Sequence, residues 1–442
     1  MKKLLFLTII LTVILSIPFA LNASALDSKY ETIKIGLYYG SGAKKSITVS
    51  SSGGFKAGYM NDSVFVPAYD FPSTNLDVSY RSSGGITING TAYDFPGGNN
   101  FALLPNNGTI KINGTIYRGG VEFLATSSSA LTVINFVNIN DYIAAVVGKE
   151  MSPSWNIEAL KAQAVCARSY SITTWKKHAS YGFNLCSTQD CQAYQGISGE
   201  TDSTKRAATE TKDQVLTYNG AVAETLYSSS NGGSSAYAKH VWGSDIPYLQ
   251  AVKDIYENPA EISNSPWKVT LTNEQIQSKL SKSGVNIGTV YDMKVTGADE
   301  YGRNYKITIY GTNGTYDLVN DKTRSFFGLN SQKYTITSSQ SSPAVLYAST
   351  STQTSQVDVC NVITSNGLKT ASSTGVFVIG SSGIQQKSTS SASDVSPGTY
   401  VLNGTGWGHA IGMSQWGAKA MADKGFNYTQ ILAFYFKGTV LE

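Results

Sequence analysis

Between Asp27 and about Ala130, short apolar stretches alternate with clusters of Gly, Ser, Asn and Thr, the pattern of short strands joined by tight turns. Two segments echo each other. "ITINGTAY" (86–93) and "IKINGTIY" (110–117) each place Asn-Gly between alternating apolar residues, the strongest short-range signal for a hairpin. From residue 138 to 180 the pattern changes to Ala, Leu, Val, Lys and Gln at helical spacing. Asn156 is placed to cap a helix, with Glu158 in its first turn, where the helix dipole favours an acid. At about 100° per residue, Ile157, Leu160, Ala164, Ala167, Ser171 and Trp175 form one stripe with Arg168 at its edge. Residues 205–335 return to strands and turns, with a helix predicted over 272–282. The C-terminus reads as two helices, the first ended by Gly425. Residues 336–400 are dominated by Ser and Thr and read as an inserted β subdomain or a mobile segment. The prediction is an α+β protein: a β-rich N-terminal region over 26–130, then a mixed core over 131–442 with helices around an active-site cleft and the Ser/Thr-rich insert inside it.

Composition adds compartment and excludes some partners. With 442 residues, 41% hydrophobic and 14% charged, the chain is globular and long enough for two or three domains. Its formal charge is only +4, and that includes Lys2 and Lys3, so nothing argues for nucleic acid or an acidic membrane surface. Residues 1–25 carry those lysines, an apolar run from Leu4 to Leu21, and Ala23, Ser24 and Ala25 as a small-residue cleavage pattern. They read as a signal peptide. The run is also long enough for an uncleaved N-terminal anchor. Either way, the expected location is outside the cytoplasm, in the cell wall or at the outer face of the membrane.

Four stretches carry candidate chemistry. In "DYIAAVVGKEMSPSWNIEALKAQAVCARSY" (141–170), Glu150 and Arg168 sit among apolar and small residues. A guanidinium keeps its charge and needs partners wherever it lies, and Glu150 is the nearest acid. Sheltering by Val146, Val147, Met151 and Trp155 would push a carboxyl pKa up, and a nearby cation would pull it down, which poises a general acid near neutral pH. A structural ion pair reads the same. "LYSSSNGGSSAYAKHVWGSDIPYLQAV" (226–252) sets hydroxyls and glycines beside Tyr237, Trp242 and Tyr248, as a sugar ring or an ordinary loop would require. "GTGWGHAIGMSQWGA" (404–418) has glycines dense enough to imply close backbone approach or positive φ, and its His409 is a ligand, a base or a core histidine. "CSTQDC" (186–191) offers two thiols with His178 and Asp190 as local helpers; zinc, a disulfide and free thiols all stay open.

Together these blocks, with "CSTQDCQAYQG", "TRSFFGLNS" and the C-terminal "GWGHAIGMSQWGAKAMADKGFNYTQILAFYFKGT", strongly resemble the stage II sporulation protein D and amidase-enhancer family of bacterial cell-wall proteins. The resemblance implies a lytic transglycosylase that cleaves the MurNAc–GlcNAc bond of peptidoglycan with formation of 1,6-anhydro-MurNAc, on peptide-stripped strands during sporulation or wall remodelling. It also offers an alternative, a glycan-binding enhancer of an N-acetylmuramoyl-L-alanine amidase. The family's catalytic glutamate falls on Glu150 and its functional arginine on Arg168. Ser228, Ser229, Ser230 and Gly233 fall in the substrate-lining loop, and His409 and Gln415 are counted with them as substrate-binding. Implied partners are glycan strands, a cell-wall amidase and other sporulation membrane proteins. Zinc-binding members supply histidines near the cysteine pair, which makes Cys186, Cys191 and His178 the metal candidates here; Asp190 stands where a further histidine is expected. The family's Gly-His-Gly reads Gly-His-Ala, with Ala410 third, a change that tightens the turn after His409.

Overall fold

The computed structural model describes residues 27–338 and 398–442 apart from positions 83, 97, 99, 127, 128 and 264, plus the backbone of short strands between 346 and 387. The signal-peptide reading and Cys360 lie outside the described residues. No helix among them is long and apolar enough to cross a membrane.

The β-rich region forms two sheets. One runs in the order Leu185–Cys186, Thr32–Tyr38, Leu131–Asn138, Gly120–Ala125, Asn100–Pro105, Phe55–Asn61, Val64–Phe71. The other runs Thr115–Arg118, Thr109–Ile112, Ser46–Ser50, Asn75–Tyr80, Ile86–Ile88, Thr91–Tyr93. Both Asn-Gly pairs turn hairpins as expected: Asn89 and Gly90 have φ of 49° and 83°, Asn113 and Gly114 46° and 91°, the two positive values a type I′ turn demands. Inward side chains of the two sheets, such as Val49, Val78, Ile110, Phe101 and Val121, share one core. Strand Leu131–Asn138 is buried on both faces, Val133 and Val137 toward that core, Ile134 and Phe136 toward two satellite clusters, the period-2 alternation of a covered strand.

This strand runs straight into helix α1 (Ile139–Glu150), which is followed by α2 (Ile157–Thr173) and α3 (Asp202–Glu210). The helices belong to the same core as the sheets, so packing is continuous across residue 130. Asn156 caps α2 as expected, its side chain accepting the Glu158 N–H. The predicted single stripe is not what α2 shows. It is buried on all sides from Ala162 to Ile172, because α1, α3 and the C-terminal helices surround it; Trp175 lies beyond its end. Small residues permit this approach, and Ser169 and Ser171 donate to carbonyls one turn back.

A second, smaller core is built from α5 (Asn273–Lys282), which covers the predicted helix, the sheet Val290–Ala298/Asn304–Gly311/Gly314–Val319, and the sheet Trp267–Thr272/Thr399–Gly404/Tyr334–Ser338. The short helix α6 (Lys322–Ser325) lies against two of its strands, whereas α4 (Ala238–Val241) buries Ala238 and Val241 in the large core. Strands Tyr334–Ser338 and Thr399–Gly404 pair directly, Tyr334 opposite Gly404 and Ser338 opposite Tyr400, so the Ser/Thr-rich insert leaves and returns at neighbouring strands. The chain closes with α7 (Gln415–Asp423) and α8 (Tyr428–Tyr435); Gly425, with φ 90°, turns the chain just past the Lys424 C-cap.

Candidate active site

Strand Tyr227–Ser228 pairs in parallel with Met413–Ser414, and Ser230 bridges Trp407, so the serine loop and the glycine-rich loop lie side by side. A Cβ on Gly408, whose φ is 112°, would stand 2.7 Å from that of Ser228. Beneath these loops is a cavity of about 810 Å³ lined by Glu150, Ser228, Ser229, His409 and Gln415, among others.

Glu150 is the last residue of α1. Its Oε1 accepts the Ala193 main-chain N–H at 2.9 Å and its Oε2 the Gln415 amide at 3.3 Å. Burial raises its pKa above the ordinary carboxylate value, against the lowering effect of those two donors. The loop carrying Ala193 is held from both sides. Gly148 of α1 admits the Gly199 carbonyl so closely that a Cβ would sit 1.7 Å from the oxygen. The buried Gln192 amide donates to Tyr142 Oη at 3.2 Å and Ser171 Oγ at 3.0 Å, and accepts from Tyr227 Oη at 2.8 Å.

Arg168 does not meet Glu150. Fully buried in α2, it donates to the Gln214 carbonyl at 3.0 Å, Asn140 Oδ1 at 3.2 Å and the Ala208 carbonyl at 3.3 Å. Asn140 lies in the first turn of α1 and Glu150 at its end, ten residues apart, or about 15 Å at 1.5 Å per residue. Burial pulls the Arg168 pKa down to about 10, and the acid whose charge it feels is Asp213. The expected ion pair gives way to contacts with backbone carbonyls.

Of the other expected site residues, Ser228, Ser229, His409 and Gln415 line the cavity, while Ser230 and Gly233 do not. Ser230 is taken up by Glu257, to which it donates at 2.5 Å, and Gly233 is a left-handed turn residue with φ 95°. The Ser228 hydroxyl has no protein partner among the described residues. His409 is held neutral: burial pushes its pKa down to about 4, its Nδ1 accepts the Ile411 N–H at 3.0 Å, and its other hydrogen bond goes to the Tyr227 backbone. That geometry suits a positioned wall residue, not a base. Ala410, between His409 and Ile411, adopts φ 61°, a left-handed conformation that costs an alanine about 1 kcal/mol and a glycine nothing.

Sequence reasoning missed three groups. Gln192 and Ala193 hold the catalytic candidate. Glu257 and Asp254 anchor both loops: Glu257 accepts from Ser230, Ser414 and the Asn231 and Gly232 N–H groups, Asp254 from Asn231 and Tyr435. Glu224 also lines the cavity, its carboxyl pushed up by burial and drawn down by Lys177.

At the cavity edge, His178, Cys186, Asp190 and Cys191 bring one ligand atom each within 4.8 Å of one another. The cysteines are free thiols, not a disulfide. Nε2 of His178 lies 3.2 Å from Asp190 Oδ2 and 3.3 Å from Cys191 Sγ, and Asp190 Oδ2 lies 3.8 Å and 4.0 Å from the two sulfurs. Ligand atoms of a tetrahedral zinc with bonds of about 2.0–2.3 Å stand about 3.3–3.8 Å apart, so the donor set suits that ion and the four atoms would need to close by no more than about 1 Å. Asp190 supplies the oxygen where a further histidine was expected.

Residues 127–218 match the family model described as stage II sporulation protein. The amidase enhancer of Bacillus subtilis is 34% identical over 306 residues, 68% of this chain and 40% of that protein. The chain thus spans well under half of that relative. Stage II sporulation protein D of Bacillus subtilis is 26% identical over 345 residues, covering 72% of this chain and 81% of its own. An uncharacterized protein of Brachyspira hyodysenteriae is 29% identical over 323 residues, covering 73% and 71%. The matched segment contains Glu150, Arg168 and the cysteine–histidine cluster, so the likeness to the stage II sporulation protein D and amidase-enhancer proteins falls on the cavity as well as on the scaffold.

Proposed function

We propose that the protein acts on the bacterial cell wall as a peptidoglycan lytic transglycosylase. The observation that carries this reading is Glu150: a carboxyl at a cavity wall, its pKa raised by burial, its oxygens oriented by two donors. An intramolecular transfer needs one such carboxyl, and Glu150 can serve as both acid and base in it. Glu150 gives its proton to the glycosidic oxygen as the MurNAc C1–O bond breaks. The C6 hydroxyl of the same MurNAc then bonds to C1, and the Glu150 carboxylate takes that hydroxyl's proton. One bond breaks, one forms, no water is consumed, and the acid is regenerated. Ser228 and Ser229 offer hydroxyls to the sugar edge.

The reading includes export to the wall or the outer membrane face, as the N-terminal leader indicates, and zinc at His178, Cys186, Asp190 and Cys191. Bound there, the ion would serve as a structural cross-link. The chain's own contribution is the loop it closes, since Gln192 and Ala193 follow Cys191 directly and Ala193 orients Glu150. The purified protein is expected to carry one zinc per chain by metal analysis. Cys191→Ser should abolish that binding and lower the melting temperature, and a zinc-free preparation with an unchanged melting temperature counts against the site.

A second reading, a glycan-binding enhancer of a wall amidase, is favoured by the name of the Bacillus subtilis relative. Incubation of intact and amidase-stripped peptidoglycan with the protein and with Glu150→Gln, followed by mass spectrometry, separates the two. Anhydro-muramic ends released by the parent alone support the enzyme; no fragments from either substrate, with stimulation of an amidase by both proteins, supports the enhancer.

A further inference from the structure

We propose that Trp242 and Trp407 are sugar-stacking platforms that set the affinity of the Glu150 cavity for a β-1,4-linked glycan. The inference rests on the glycan-cleaving reading and deepens it. The chain has six tryptophans. Trp155 and Trp175 pack against the large core, Trp267 against the second, and Trp416 meets Trp155 with ring centroids 4.9 Å apart. Trp242 and Trp407 join neither core, are the two tryptophans that stand largely exposed, at 45% and 48%, among the described residues, and both line the cavity that contains Glu150. An indole left half in water forgoes apolar burial that its neighbours in the same chain obtain, and the two that do so are found together at this site.

Their backbones are built to hold them there. Trp407 exchanges two main-chain hydrogen bonds with Ser230, at 2.8 and 3.2 Å, and is flanked by Gly406 and Gly408 with φ of 92° and 112°, turns that side-chain-bearing residues rarely make. Trp242 closes α4, its N–H on the Ala238 carbonyl at 2.8 Å, with its ring 5.8 Å from the neutral imidazole of His409. A pyranose ring offers an apolar C–H face and a rim of hydroxyls. The cavity answers with two fixed flat rings and with Ser228 and Ser229. Pre-organised rings of this kind lose little entropy on binding.

The test uses calorimetric titration of short, soluble, peptide-free GlcNAc–MurNAc oligomers into the Glu150→Gln chain, which binds without turnover. Trp407→Ala and Trp242→Ala are expected to weaken binding roughly tenfold each. Trp407→Leu, which keeps apolar bulk without a flat face, should do the same, and Trp407→Tyr should restore most of the affinity. Melting temperatures identify any variant that fails to fold, and the Leu and Tyr pair then decides. With Glu150 present, KM should rise by the same factor and kcat stay within about threefold. Binding by the Ala and Leu variants within about twofold of the parent overturns the proposal. So does loss of amidase stimulation with oligomer binding intact, which makes the rings a protein-docking surface. Absence of anhydro ends from the parent sinks the transglycosylase reading and leaves the oligomer affinities to judge the platforms.

Discussion

Glu150→Gln should lower glycan cleavage by about 10² to 10⁴, the usual contribution of general acid–base assistance, while the melting temperature at neutral pH stays the same or rises. The two halves have one cause. Burial raises the Glu150 pKa in the folded chain, so the folded state holds this proton more tightly than the unfolded one. The stability associated with that proton is present at low pH and is lost as pH climbs through the raised value. At neutral pH the ionised carboxyl is therefore a cost to folding, which an uncharged amide of the same shape removes. Glutamine leaves only one oxygen for the Ala193 and Gln415 donors. The Gln163 amide nitrogen, however, has no partner among the described residues, so a rotation of the Gln163–Gln415 pair can present an oxygen to the new amide. The same shift sets the pH profile: kcat of the parent should fall on the alkaline side as Glu150 loses its proton, at a higher pH than an ordinary glutamate would. Initial rates and thermal melts from pH 4 to 9 on both chains check this, and a fully active Glu150→Gln sinks the catalytic role.

What could be read from the chain was what is local. The Asn-Gly hairpins, the Asn156 cap, the α5 helix and the Gly425 stop each depend on residues within a few positions, and each is where pattern placed it. Glu150 as an acid in apolar surroundings was legible for the same reason, as was the grouping of His178 and Asp190 with the cysteine pair. What failed was direction. Arg168 lies at the edge of a calculated stripe, but a helix enclosed on every side has no solvent face, and the chain does not announce which neighbours enclose it. The supports of the site were hidden by separation: Gln415 reaches Glu150 across 265 positions, and Glu257 reaches Ser414 across 157. No periodicity reports such pairs. The second core escaped notice because its central strand, Thr399–Gly404, lies beyond the Ser/Thr-rich insert from the strands it joins.

Arg168→Ala should destabilise the fold by about 3–5 kcal/mol, read as loss of soluble protein or a large drop in melting temperature, with any remaining folded protein still active. The guanidinium ties the start of α1, the last turn of α3 and the Gln214 carbonyl together from inside a helix that water does not reach. Its contact with Ala208 is at the C-terminal end of α3, where carbonyls lack helical partners and a cation is favoured. Removing it takes a donor from two carbonyls and an amide oxygen and opens a cavity where one of the two fully buried arginines of the described structure stood. Arg168→Lys keeps the charge but loses the fork that reaches three acceptors, so an intermediate cost of about 1–3 kcal/mol is expected. The lysine chain distinguishes scaffold from chemistry. If Arg168 acts through the fold, Arg168→Lys assayed well below its melting temperature should cleave glycan within about threefold of the parent, with an unchanged alkaline limb in its pH profile. A stable lysine variant with activity down a hundredfold would instead place the guanidinium in the reaction, and would require a rearrangement carrying it across the roughly 15 Å of α1 that separates its Asn140 contact from Glu150.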